Sequence, residues 1–131
     1  GCDDDGNIYN INGDFVAKEI ACLFKAEKLI LLTSIDGVMK NQKLISYLEL
    51  SKIDDLIKNK SATKGMIPKL STCKEAVICG VKRVHILNGL KKDTLLKEVF
   101  TKVGNGTMIV SKDEYEYYEK EAGKIQWIMK H

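Results

Sequence analysis

Three short segments place charged and amide side chains where a helix or a strand is expected to begin or end. The first is NINGD (10–14), which precedes apolar residues at helical spacing, so Asn12 is a candidate N-cap and Asp14 a first-turn acid. Backbone N–H groups and the helix dipole favour an anion at such a position, and either side chain is suited to orienting a ligand there. An ordinary asparagine cap followed by an acid explains the same five residues, so both interpretations stay open.

The second segment, TSIDG (33–37), follows KLILLT (28–33), an apolar run of strand length. Such a continuous run suits a strand in a sheet that is covered on both faces. In open α/β sheets, ligands bind beyond the carboxyl ends of the strands, which makes this loop a candidate nucleotide site. The alternative is a plain turn formed by Asp36 and Gly37.

The third segment, KGMIPK (64–69), places Lys69 in the first turn of a helix that is predicted to start at Pro68 and to end at Gly80. A cation is unfavourable at the positive end of a helix dipole. The position therefore predicts an anionic ligand or a carboxylate close to Lys69. The alternative is a solvated surface lysine.

The rest of the chain alternates strands with helices. Helices are predicted over 51–59 and 93–100, capped by Ser51 and Asp93, and over a charged tail from 111 in which Gly123 is expected to end the helix. Buried strands are predicted over 82–87 and, after a glycine turn, within 104–110. This alternation predicts a layered α/β fold with a mainly parallel sheet, and 131 residues suffice for one domain or part of one.

Composition and charge argue against several function classes. The net charge is only +3, and Arg83 is the one arginine among 21 basic residues, which argues against a nucleic-acid module. The longest apolar run, at 29–32, is far shorter than the ~20 residues that cross a bilayer, so no membrane partner is expected. The acidic start is unlike a signal peptide, and a cytoplasmic location is therefore expected.

The cysteines and acidic residues show no pattern typical of a metal site. Cys2, Cys22, Cys73 and Cys79 form no CxxC pair and have no histidine at zinc spacing, so reduced thiols and no protein-bound metal are expected. DDDG (3–6) lacks the first and last carboxylates of a calcium-binding loop.

Taken together, five segments resemble the N-acetyl-L-glutamate kinases of the amino acid kinase family. They are NINGD, AEKLILLTSIDGV, KGMIPK, GVKRVHILNG and GNGTMIV, in this order within residues 5–110. The resemblance implies a three-layer αβα fold and transfer of the γ-phosphoryl group of ATP, with Mg²⁺, to the side-chain carboxylate of N-acetyl-L-glutamate in arginine biosynthesis. It also implies that residues 1–110 are the nucleotide-binding half of such a domain and that 111–131 form a charged helical tail extension.

The resemblance also implies roles for individual residues. Asn10 would contact the acetylamino acid, with Asn12 beside it, while Asp14 would organise the active-site lysines and Lys69 would stabilise charge on the moving phosphoryl group. The expected nucleotide-binding residues are Ser34, Ile35, Asp36, Gly37, Val38 and Met39, together with Ser61, Ala62 and Thr63.

A further set of residues resembles the pattern of the arginine-inhibited members of that family. His85, Glu98 and Gly104 fit it, which makes arginine a candidate effector. The alternative is structural, with His85 as an ordinary strand residue and Gly104 in a turn.

Two departures from the family pattern bear on activity. The chain resembles only the carboxyl half, whereas the amino half of the family brings a further lysine, glycine-rich phosphate loops and the arginine that holds the substrate. Ser34 also stands where the family commonly has an aspartate. We therefore expect the isolated chain to be inactive and to need a separate amino half or a homo-oligomer. The alternatives are a non-catalytic fragment that binds a nucleotide or arginine, and one half of a split kinase with another acceptor.

Overall fold

A computed structural model describes residues 13–94 and 106–130 of the chain. Within them, the helices are α1 (Gly13–Leu23), α2 (Lys52–Lys58), α3 (Met66–Ile78) and α4 (Lys112–Lys130). The strands are β1 (Lys28–Thr33), β2 (Met39–Lys40), β3 (Lys43–Leu44), β4 (Tyr47–Glu49), β5 (Arg83–Asn88) and β6 (Thr107–Val110).

Four of these strands form one sheet in the order β1–β5–β6–β4, and β2 pairs with β3 in a separate hairpin. β1 and β5 are parallel, as are β4 and β6, but β5 and β6 are antiparallel. The carboxyl ends of β1 and β5 therefore lie at the same edge of the sheet as the amino ends of β6 and β4. The expected α/β fold with a mainly parallel sheet is confirmed.

The core lies between one face of this sheet and a layer formed by α1, α2 and α3. Fully buried side chains on that face include Val84, Ile86 and Ile109, and they pack against Ile53 and Leu70 of the helices. Removing such apolar side chains from water stabilises the fold by roughly 1.5–3 kcal/mol each.

The opposite face of the sheet carries α4, which makes the architecture a three-layer αβα arrangement. Tyr47 and Arg83 alternate with core-facing neighbours along their strands, so their side chains point away from α1–α3. Tyr118 of α4 stacks on Tyr47 with 6.0 Å between ring centroids, and its hydroxyl oxygen accepts a hydrogen bond from Arg83 Nη1 at 2.7 Å.

α1 and α3 are linked side by side by residues spaced four apart along α1. Asp14 pairs with Lys69, Lys18 Nζ lies 2.8 Å from Glu75 Oε2, and Cys22 forms a disulfide with Cys79. The contacts follow the same order along both helices, so the helices run in the same direction.

The disulfide corrects the expectation of four reduced thiols. Cys22 and Cys79 are 57 residues apart, and they meet because each lies at the carboxyl end of its helix in the α1–α3 pair. Cys73 remains a free, buried thiol.

Three local predictions were wrong in detail. α3 starts at Met66 rather than at Pro68, which is tolerated because the first four N–H groups of a helix have no partner within it. The Ser51 hydroxyl makes no capping bond to α2 and instead donates to Glu49. α4 continues through Gly123. The predicted helix over 93–100 lies mostly outside the described residues.

We predict that the Cys22–Cys79 disulfide stabilises the fold by about 2–5 kcal/mol, because it closes a long loop in the unfolded chain. Cys22→Ser and Cys79→Ser should each lose this stability in urea unfolding monitored by circular dichroism. Reductant should destabilise the parent chain to the same extent and leave either variant unchanged. If alkylation of the unfolded, unreduced chain labels as many thiols as after reduction, the disulfide does not form.

Candidate functional site

Segments from α1, β1 and α3 meet at the carboxyl ends of β1 and β5. The Lys69 ammonium forms an ion pair with Asp14 Oδ2, and Lys69 Nζ also lies 3.3 Å from the carbonyl oxygen of Leu32, near the end of β1. The lysine side chain is 15% exposed and that of Asp14 is 27% exposed, so the pair is partly shielded from water. The carboxylate predicted near Lys69 is thus Asp14.

The segment Ser34–Met39 leaves the end of β1 beside this pair. Because it is predicted above to contact a nucleotide, we call it the nucleotide loop. Its Asp36 carboxylate accepts a hydrogen bond from Asn88 Nδ2 at 3.1 Å and lies 2.7 Å from Lys91 Nζ. Hydrogen bonding by Lys91, and then by Asn88, lowers the pKa of Asp36, which is therefore ionised at neutral pH. A second link at this edge is the hydrogen bond from the Gly89 N–H to the Thr33 carbonyl, 2.8 Å long.

Asn88 and Lys91 were not predicted as site residues. Asn88 ends a buried strand just as Thr33 does. Applying the strand-end rule to β5 as well as to β1 would have identified Asn88. Lys91 carries no comparable signal, because its contact with Asp36 joins two loops.

The segment Ser61–Thr63 leads directly into α3. The Thr63 carbonyl accepts hydrogen bonds from the N–H groups of Met66 and Ile67 at 3.0 and 3.1 Å, which fixes this segment to the amino end of the helix. Ser61 also lines a cavity of about 450 Å³ between the hairpin, β4 and α2. Lys40, the residue after the nucleotide loop, lines the same cavity. Ser61 is thus the one predicted nucleotide-binding residue that lines this cavity, and the nucleotide loop adjoins the cavity only through its neighbour Lys40.

Of the remaining predicted residues, the structure describes only His85. Asn10, Asn12, Glu98 and Gly104 lie outside the described residues. His85 lies in the middle of β5, on the sheet face opposite α1 and α3, and is 6% exposed. Its role as part of an effector pocket stays a prediction.

The buried thiol of Cys73 lies close to the ion pair, on the same helix as Lys69. Burial raises the pKa of the Cys73 thiol, one turn after Lys69, to about 12, so this thiol is not a nucleophile at neutral pH. Among the residues that the structure describes, no three potential ligands cluster as a metal site. Lys69 and the amino ends of α1 and α3 are suited to binding an anion.

A family model for the amino acid kinase family matches residues 1–88. Curated relatives include the acetylglutamate kinase of Kosmotoga olearia, 50% identical over 109 residues, and that of Hydrogenobaculum sp., 48% identical over 111 residues. Each alignment covers 83% of this chain and 39% of the relative. The chain belongs to the amino acid kinase family, and it spans about 39% of the length of these relatives.

Solved structures of other proteins share this fold. N-acetylglutamate synthase from Neisseria gonorrhoeae, in complex with coenzyme A and L-arginine, superposes with a TM-score of 0.72 at 32% identity. That alignment covers 83% of this chain and 26% of the synthase chain. Carbamate kinase from Giardia lamblia bound to AMP-PNP has a TM-score of 0.64 at 21% identity over 82% of this chain and 34% of the kinase chain, a likeness of fold alone. None of the helices described here has the length and apolar character needed to cross a membrane.

We predict that Asp14 and Lys69 stabilise one another by about 1 kcal/mol, as expected for a partly shielded ion pair. Urea unfolding of the parent chain, Asp14→Asn, Lys69→Met and the double variant gives this coupling directly. The double variant should lose less stability than the sum of the two single losses. Strict additivity would contradict the pairing.

We also predict that His85 makes the fold sensitive to acid. Burial, and then the charges of Lys28 and Arg83, lower the pKa of His85 to about 4, below its ordinary value of 6.5. The neutral His85 imidazole contributes up to about 3 kcal/mol to the free energy of unfolding. This contribution is fully present above pH 6.5 and is lost as the pH falls towards 4.

His85→Leu should flatten this pH dependence of the unfolding free energy, measured by urea denaturation between pH 4 and 7. In an NMR titration, the imidazole of His85 should remain neutral at pH 5.5. A His85 resonance that titrates near pH 6.5 in the folded chain would contradict the prediction.

Proposed function

We propose that this chain is the ATP-binding part of an N-acetylglutamate kinase, which phosphorylates the side-chain carboxylate of N-acetyl-L-glutamate in arginine biosynthesis. The observation that carries the proposal is the meeting of Asp14, Lys69 and the nucleotide loop at the carboxyl ends of two parallel strands. The relatives named as acetylglutamate kinases, at 48–50% identity, support the choice of N-acetyl-L-glutamate as the substrate.

In this proposal the ATP phosphates bind between Lys69 and the amino ends of α1 and α3. Phosphoryl transfer needs mainly positioning and neutralisation of charge, and little covalent chemistry by the protein. Lys69 would stabilise charge on the transferred group, and Asp14 would hold the ammonium in place. Both side chains are already oriented by their ion pair, so little reorganisation is required when the nucleotide binds.

The adenosine part of ATP is proposed to lie against the cavity that Lys40 and Ser61 border. Its volume of about 450 Å³ is within the range of about 300–1,000 Å³ that is typical of small-molecule sites. The nucleotide loop and Ser61–Thr63 would then contact the nucleotide from two sides. Asp36, held by Lys91 and Asn88, would stabilise the loop rather than the phosphates.

Mg²⁺ is proposed to bind to this chain as a complex with the phosphates of ATP. One oxygen of each carboxylate, Asp14 Oδ2 and Asp36 Oδ1, is already paired with a lysine, which makes either carboxylate a weaker metal ligand. Mg²⁺ in kinases is commonly held by substrate phosphates, waters and at most one or two carboxylates. The metal would neutralise phosphate charge there.

The binding site for the acceptor substrate would be completed by a further polypeptide segment, such as the amino half found in relatives or a second copy of this chain. Asn10 and Asn12 are the residues proposed to contact N-acetyl-L-glutamate from this side. α1 exposes an apolar face, and the only described neighbour of β1 in the sheet is β5. The exposed residues are Phe15, Val16, Ile20 and Leu23 on α1, Phe24 directly after it, and Leu32 on β1.

Such an apolar face and strand edge mark the surface where that segment would pack.

We propose that the chain alone binds ATP and does not transfer the phosphoryl group. Positioning of the acceptor can contribute about 7–11 kcal/mol, and in this proposal Asn10 and Asn12 supply only part of the contacts that hold it.

Arginine is proposed as an effector that binds near His85, Glu98 and Gly104. The Neisseria gonorrhoeae synthase was solved with L-arginine and is 32% identical to this chain, which supports the choice of ligand. The proposed location of the protein is the cytoplasm, and residues 111–131, including α4, are proposed to be an extension beyond the nucleotide-binding half.

We predict that the purified chain binds Mg²⁺–ATP and that Lys69→Ala weakens this binding at least tenfold in isothermal titration calorimetry. Loss of an ammonium that contacts phosphate removes a charge-assisted hydrogen bond of roughly 1.5–3 kcal/mol. Lys74→Ala is the matched control, because Lys74 lies on the same helix but pairs with Asp54 at 2.8 Å. Equal affinity of the parent chain and Lys69→Ala would contradict the proposal, as would an equal loss in both variants.

A further inference from the structure

We propose that Thr107 is a positioning residue that holds the nucleotide loop and one wall of the cavity in register for ATP. The inference rests on the proposed function. Thr107 is the first residue of β6 and is 1% exposed, so ATP does not contact it. It is buried beneath the base of the β2–β3 hairpin.

The Thr107 hydroxyl connects the two sides of that base. Its oxygen accepts a hydrogen bond from the Val38 N–H at 2.9 Å, and the hydroxyl donates to the Ile45 carbonyl at 2.6 Å. Val38 belongs to the nucleotide loop, and Ile45 lines the cavity. A single hydroxyl therefore fixes both structures that are proposed to contact the nucleotide.

The backbone of the nucleotide loop is in close contact with Thr107. Gly37 has a φ of +149°, and a Cβ there would lie 2.7 Å from Thr107 Oγ1 and 3.2 Å from Thr107 N. The loop thus rests directly on Thr107. Gly106, with a φ of +86°, allows β6 to start this close to β5, because a Cβ there would be 2.1 Å from the Ile86 carbonyl oxygen.

Other contacts at the hairpin base do not replace the hydroxyl. The Ile45 N–H donates to the Val38 carbonyl at 2.8 Å, and the Met108 N–H donates to the Ser46 carbonyl at 2.9 Å. Neither of these bonds occupies the Val38 N–H. Without the hydroxyl, this buried donor has no partner at its present position, and the loop must shift to find one.

The test compares Thr107→Val, which keeps the shape and removes the hydroxyl, with Thr107→Ser, which keeps the hydroxyl. Val84→Ala is the control for general loss of stability. Val84 is fully buried and lies near the amino end of β5, at the opposite edge of the sheet from the site. Mg²⁺–ATP affinity is measured by calorimetry, and Val38 amide exchange is measured by NMR in the absence of nucleotide.

We expect Thr107→Val to bind ATP at least tenfold more weakly and to exchange the Val38 amide at least tenfold faster than the parent chain. Thr107→Ser should remain within about threefold of the parent in both measurements, and Val84→Ala should bind as the parent does. Parent-like affinity of Thr107→Val, or an equal loss in Val84→Ala, would overturn the inference. If the parent chain binds no ATP, the proposed function fails, and unchanged Val38 exchange in Thr107→Val would overturn the positioning role independently.

Discussion

The ion pair between Asp14 and Lys69 is the interaction on which the arrangement of the site depends. α1 and α3 run in the same direction, so their amino ends, each carrying a partial positive charge, lie side by side. Lys69 adds a full positive charge to that region, and the carboxylate of Asp14 offsets it. Because Lys69 also bonds to the Leu32 carbonyl, the same pair ties both helices to the end of β1.

Two further links between α1 and α3, which we call the α1–α3 seam together with the Asp14–Lys69 pair, hold the two helices together farther from the site. Lys18 is buried against α3, where its contacts with Glu19 and Glu75 raise its pKa and keep it charged. The Cys22–Cys79 disulfide closes the other end of the seam. A rotation of α1 by one residue would break all three links at once, since they share one helical face. The position of Asp14 is therefore set by contacts along the whole helix.

Much of the fold could be predicted from the sequence, because its signals are local. The apolar runs predicted the strands β1 and β5, and the helical spacing after residue 12 predicted α1. The expected covering of both faces is found for β5 but was wrong for β1, which ends the described strand order and leaves Leu32 52% exposed. The carboxylate beside Lys69 followed from the dipole of a single helix. In contrast, the Ser51 hydroxyl had two competing partners, the backbone N–H groups of α2, from which it could accept, and the Glu49 carboxylate, to which it donates. Spacing along the chain does not decide between them. The disulfide depends on the register of two helices that are far apart in the sequence.

Thr107 and Asn88 show why part of the site could not be identified from the sequence. Thr107 bonds to Val38 across 69 residues, and Asn88 bonds to Asp36 across 52. Nothing local to either residue indicates its partner, because the partner is determined by the order of strands in the sheet. The contact of Thr107 with the nucleotide loop depends on β6 running antiparallel to β5. In a wholly parallel sheet, the first residue of β6 would lie at the opposite edge, away from the end of β1. The reversal of this one strand brings a buried hydroxyl to the base of the loop, and it gives the site an anchor that the parallel strands alone do not provide.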